Sequence, residues 1–207
     1  YFRAKYLYEE TPYPDASLPF DFKTFCANPA RLRVGAFRRD TGEMIYFSKD
    51  DMRDVGELMK IVRCSSSMPV FMPPTLYGGQ IYMDGGLGGG IALDSAKKDG
   101  MERFFAVLSR PRGFRMQPPK YGRAIRAIYR KRPYVADAMM NRYRVYNQTL
   151  EELEALERER KAFLVCPDEM PVTNRETGFE RLEESYRAGH AQGARDLPRW
   201  KEFLGMV

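Results

Sequence analysis

At 207 residues the chain suits one large domain, or one domain with an extension. Its 43% hydrophobic and 13% aromatic content supports a core and excludes global disorder, and no run nears the roughly 18 apolar residues that a membrane span needs. The net charge of +6 is uneven: nine Lys/Arg and no acids lie between Arg110 and Arg132, a block that attracts phosphate groups.

No secretory signal is visible, and the chain opens on Tyr1 rather than Met, so residues 1–10 read as the end of a helix begun upstream. Pro12, Pro14 and Pro19 then force an extended path. A short helix is expected over 20–28, with Phe22 and Phe25 on one face. Residues 32–37 and 44–47 read as a β-hairpin about the Asp40-Thr41-Gly42 turn. Ser48 and Asp51 form a helix-capping pair, and Val55, Leu58, Met59 and Val62 follow at helical spacing. That helix ends near 64–67, before Pro69.

A short strand over 80–83 delivers Asp84. A short helix follows over 91–98, and the apolar run 104–108 reads as a strand buried on both faces. Strand, short helix and buried strand are the rhythm of an α/β sheet. Beyond Pro118 the expected elements are a basic helix over 121–130 and one long helix over 135–162. Leu150, Leu153 and Leu156 lie near one face of that long helix. The pairs Glu154/Arg158 and Glu157/Lys161 are spaced to support it. A strand over 163–166 comes next. Thr177 and Glu180 form a second capping box, opening a helix that Pro198 interrupts and that resumes to residue 204. The expected division is an α/β portion over 1–117 and a mainly helical extension over 118–207.

Three cysteines (Cys26, Cys64, Cys166) without a Cys-x-x-Cys predict neither a zinc site nor a redox pair. Their odd number argues against a disulfide framework and for free thiols in a reducing, cytoplasmic setting. No cluster has metal-ligand spacing, and no cofactor is implied. The run 85–90 lacks the Gly-Lys-Ser/Thr of a phosphate-binding loop.

Asp84-Gly85-Gly86 is the most informative feature. Seven of the 17 glycines fall between Gly78 and Gly90, and Asp84 is the only acid between Glu57 and Asp94. A lone carboxylate among apolar and glycine residues is a candidate for chemistry. A serine nucleophile on a strand-to-helix elbow needs glycine two residues before it, and none of the eight serines has one. The single histidine, His190, sits on a peripheral helix. An aspartate acting directly on a serine is therefore the more economical scheme than a triad. Met68, Phe71, Met72, Met139 and Met140 suit either an acyl-chain pocket or ordinary core; Phe71 and Met72, which precede the turn, stay open as substrate contacts.

The run Ser65-Ser66-Ser67-Met68-Pro69-Val70-Phe71-Met72-Pro73-Pro74, followed by Gly79-Gln80-Ile81-Tyr82-Met83-Asp84-Gly85-Gly86-Leu87, resembles the second catalytic block of patatin-like phospholipases. The tail over 107–115 and the region 186–204 are similar to a bacterial cytoplasmic branch of that family. The resemblance implies a three-layer α/β/α fold, here incomplete at its N-terminal side, with a helical C-terminal extension. It implies a Ser–Asp dyad for lipid acyl hydrolysis. The serine belongs in an upstream Gly-x-Ser-x-Gly, and a glycine-rich oxyanion turn lies further upstream; neither has a counterpart in these residues. Only Asp84 carries over, as the base, with Gly85 and Gly86 letting the backbone turn beside the serine. The chain is thus expected to be inactive alone, its N-terminal nucleophile segment missing. The expected partners are a lipid or ester substrate and an anionic membrane met through Arg110, Arg112, Arg115, Arg123, Arg126 and Arg130. The alternative is a non-enzymatic module using that basic stretch on anionic membrane or nucleic acid.

Overall fold

The computed structural model describes residues 3–173 and 176–206. Contacts divide the chain into two compact units, Tyr1–Asp99 with Gln117–Asn147 and Gly100–Met116 with Gln148–Val207.

The first unit is built on a four-stranded antiparallel sheet. In chain order its strands are β1 (Val34–Arg38), β2 (Met44–Phe47), β3 (Thr75–Tyr77) and β4 (Gln80–Asp84), and their spatial order is β2-β1-β4-β3. The expected hairpin is β1 with β2. β3 was not anticipated from the sequence. Its signature was there, because Gly78-Gly79 is a two-residue Gly-Gly loop between two short apolar runs. Both glycines have positive φ (54° and 74°), the geometry of the tight hairpin turn that matches strand twist. Thr75 faces Tyr82 and Tyr77 faces Gln80.

Alternation along the strands puts apolar residues on both faces of this sheet. On one face Ala36, Phe47 and Tyr82 join Leu58, Ile61 and Cys64 from α2 (Val55–Ser66). On the other, Phe37 and Met83 join Leu87 and Val135. Val135 belongs to α5 (Pro133–Arg158), so two helices sandwich the sheet within this unit. The three-layer α/β arrangement therefore follows from period-2 burial. Asp54 caps α2 by accepting from the Glu57 N–H, and the Ser48/Asp51 capping box forms around a single 3-10 turn just before it. Each fully buried Leu or Ile contributes about 1.5–3 kcal/mol. The short helices α1 (Phe22–Ala27), α3 (Leu93–Lys98) and α4 (Gly122–Ile128) complete the unit. Residues Tyr6–Glu10 form a π-helical turn.

The second unit pairs β5 (Phe104–Val107) with β6 (Ala162–Val165) in a parallel two-stranded sheet. β5 is not buried on both faces as expected. Val107 is 72% exposed, because a two-stranded ribbon has no further strand to cover it. Phe105 stacks on Phe163 (centroids 5.6 Å apart), and Trp200 and Phe203 of α6 (Phe179–Leu204) pack on that pair. α6 runs unbroken through Pro198, although proline removes one helical N–H. The docking of Trp200 and Phe203 just beyond it offsets that loss. The Thr177/Glu180 capping box does not form: Gly178 is the cap, and the Glu176 carboxylate accepts from the Thr177 and Gly178 N–H groups instead. The expected i,i+4 pairs on the long helix are absent too. Glu154 binds Arg115, Glu157 binds Arg112, and Lys161 lies past the helix end, bound to Glu159. Arginines from a neighbouring loop, Arg112 with a bidentate grip on Glu157, outcompete weak pairs along one helix face.

Candidate active site

β4 carries Asp84 to the edge of the first unit's sheet and stops there. Asp84 still pairs with Ala36 across the ladder, and its N–H donates to the Ser67 carbonyl at the end of α2 (2.9 Å). Two elements thus fix its backbone. Immediately beyond, Gly85–Gly88 makes a 3-10 turn, and the Gly86 N–H donates to Asp84 Oδ1 at 2.6 Å. The carboxylate caps the turn that follows it.

The glycines are required by close approach. A Cβ on Gly85 would lie 2.9 Å from the Gly35 carbonyl carbon and closer still to its oxygen, so the turn sits directly on β1. A Cβ on Gly86 would lie 2.6 Å from Asp84 Oδ1 and 3.2 Å from Arg142 Nη2. A Cβ on Gly89 would meet Val145 Cγ1 at 2.7 Å. Leu87 is buried beside Phe37, Met83 and Val135 and anchors the turn to the core.

Burial pushes the half-buried Asp84 carboxyl above its ordinary range. The Gly86 N–H bond and the charge of Arg142 pull in the opposite direction. Sequence reasoning missed Arg142, which stands 58 residues downstream on α5, and no local spacing links it to Asp84.

The serines beside this strand are already occupied. Ser65 Oγ donates to the Gly35 carbonyl (2.6 Å), and Ser66 Oγ to that of Val62 (2.9 Å). Ser67 Oγ donates to the Arg63 carbonyl (2.7 Å) and lies 2.8 Å from the Thr75 hydroxyl. Of the two candidate substrate contacts, Phe71 is 55% exposed and Met72 is buried. They sit on the loop between α2 and β3, where Val70 has φ = 71°, a strained value for a β-branched residue. His190 lies exposed on α6, beside Tyr186.

The six arginines of the basic stretch separate. Arg112, Arg115 and Arg126 form ion pairs with Glu157, Glu154 and Asp137, and Arg110 lies over the Phe114 ring. Arg123 and Arg130 form no ion pair among the described residues. No group of three or more His, Cys, Asp or Glu among the described residues could hold a metal ion. No helix among them is long and apolar enough to cross a membrane.

Fold and turn together define an α/β protein with a strand-end carboxylate held in a glycine turn. Residues 4–97 match the family model for patatin-like phospholipase. Residues 132–205 match a domain of unknown function (DUF6363). No curated protein gives a significant match. The patatin-like match suggests a lipid hydrolase family.

Proposed function

We propose that the chain contributes the base half of a lipid acyl ester hydrolase, with Asp84 as one member of a Ser–Asp dyad. The observation that carries this reading is the geometry of Asp84. It is half-buried at a strand end, fixed through its backbone by β1 and α2, and aimed by the Gly86 N–H. A base must be positioned before it is tuned, and the two backbone anchors of Asp84 support this reading. In the reaction Asp84 takes the proton of the serine hydroxyl as the oxygen attacks the ester carbonyl. That proton then passes to the departing alcohol. Asp84 next takes a proton from the water that cleaves the acyl-enzyme.

The serine is supplied by sequence outside these 207 residues. The lack of a glycine two positions before any of the eight serines supports this, as do the occupied hydroxyls of Ser65, Ser66 and Ser67. Gly85 lets the turn lie directly on β1, and Gly86 keeps side-chain atoms away from the Asp84 carboxylate that such a serine would approach. Phe71, exposed, and Met72, buried, are the candidates for contact with the acyl chain. The substrate surface is an anionic membrane, met through Arg123 and Arg130, with Val70, Phe71 and Ile128 exposed in the same unit. Aliphatic tips suit acyl chains better than bases, which favours lipid over nucleic acid.

The test is ester hydrolysis by the full-length protein carrying Asp84→Asn. Loss of a positioned base lowers kcat by about 10²–10⁴-fold. A variant that keeps its activity leaves the non-enzymatic interaction module as the better reading.

A further inference from the structure

We propose that Arg142 is the positioning residue of Asp84: its guanidinium faces the carboxylate across the space left by Gly86 and holds it in its charged form.

Three observations place it there. First, the empty Cβ position of Gly86 lies 2.6 Å from Asp84 Oδ1 and 3.2 Å from Arg142 Nη2. The two groups therefore border one point and stand within about 6 Å of each other, a range over which opposite charge favours ionisation. Second, the arginine is not on an unanchored stretch of helix. Arg142, Val145 and Tyr146 are spaced i, i+3, i+4 and share one face of α5. The Cβ position of Gly89 lies 2.7 Å from Val145 Cγ1 and 3.6 Å from the Tyr146 nitrogen, so this helix turn is seated on the glycine turn. Third, Arg142 is exposed and makes no hydrogen bond or ion pair among the described residues. Its charge is not spent elsewhere.

Asp84 needs such a partner. Burial favours its protonated form, and a protonated carboxyl cannot accept a proton from serine. Two things oppose that burial: the Gly86 N–H, which is local, and Arg142, which is the charged group that acts on it. β1 presents Gly35 and Ala36 at this point, α2 presents the Ser67 carbonyl, and the turn presents glycine; none of these is charged. Asp84 and Arg142 form no closed ion pair among the described residues, so the arginine does not occupy the carboxylate as a direct partner. Side chains at position 86 would fill the space between them, which gives the second glycine of Asp-Gly-Gly a role distinct from the first.

The catalytic meaning rests on the hydrolase reading above, but the measurement does not. The side-chain carboxyl carbons of an aspartate-labelled chain are titrated by NMR, with Asp84 assigned by its loss in Asp84→Asn. Arg142→Gln is expected to raise the Asp84 midpoint by about one pH unit, and Arg142→Lys to restore at least half of that. Because Arg142 is exposed, the urea midpoint of Arg142→Gln should match the parent, which separates charge from folding. If that variant does not fold, a salt titration of the parent decides: screening Arg142 must raise the Asp84 midpoint. A midpoint unmoved by the substitution, or by salt, overturns the proposal while leaving the hydrolase reading intact. Loss of effect for Asp84→Asn on ester hydrolysis would do the reverse.

Discussion

Gly85→Ala and Gly86→Ala are adjacent one-methyl changes with opposite expected consequences. At Gly85 the new methyl would sit 2.9 Å from the Gly35 carbonyl carbon, with the carbonyl oxygen closer still. Comfortable carbon–carbon contact is about 3.5–4.0 Å, so roughly 1 Å must be found. The obstacle is backbone in β1, a strand paired on both sides, and it cannot swing away. Overpacking costs about 1–3 kcal/mol, and opening the Ala36–Asp84 end of the ladder adds about 0.5–1.5 kcal/mol per lost hydrogen bond, for a total of about 2–4 kcal/mol. With a urea slope of about 2 kcal/mol/M, the midpoint falls by roughly 1–2 M. At Gly86 the obstacles are the ends of two side chains, Asp84 Oδ1 and Arg142 Nη2, which can rotate. Gly86→Ala should therefore cost less than about 1 kcal/mol yet raise the Asp84 titration midpoint, because it parts the carboxylate from its donor and its counter-charge. Far-UV circular dichroism in urea is the assay. Trp200, the one tryptophan, belongs to the second unit and reports on that unit instead. A Gly85→Ala protein within about 0.5 kcal/mol of the parent would refute the close-approach argument, since surface changes fall in that range.

Burial pushes the Cys64 thiol up from 9.0 to about 12. The unfolded chain then releases this proton first, so its contribution to stability is whole below pH 9.0 and is lost as pH rises toward 12, by at most about 1.4 kcal/mol per pH unit. Tyr46, Tyr77 and Tyr129 are also raised by burial and act in the same direction above pH 10.0. Cys64→Ala should flatten the fall in urea midpoint just above pH 9.0, and an unchanged slope counts against a buried thiol. At the membrane-facing candidates, each cation near an anionic bilayer contributes about 1 kcal/mol, so Arg123→Glu with Arg130→Glu should weaken sedimentation with phosphatidylglycerol vesicles at least tenfold. Val70→Ser with Phe71→Ser should weaken it further at high salt, where charge is screened. Equal binding to neutral phosphatidylcholine, or binding to RNA in place of vesicles, refutes the anionic-membrane reading.

Local signals were enough for most elements. The β1–β2 hairpin, the capped α2, the strand ending at Asp84, α4, α5 and β6 all follow from spacing, caps and turn residues that act within a few positions. Asp84-Gly85-Gly86 was legible for the same reason, since an isolated carboxylate between an apolar strand and glycines is a pattern of neighbours. Partner choice was not legible. Only the tertiary structure pairs β5 with β6, gives Glu154 and Glu157 to Arg115 and Arg112 in place of their helical neighbours, and lets Trp200 and Phe203 carry α6 through Pro198. Only the fold brings Arg142 to Asp84. Backbone preferences and capping bonds are written over three or four residues, whereas a charge felt across a glycine gap depends on where a helix 58 residues away comes to rest.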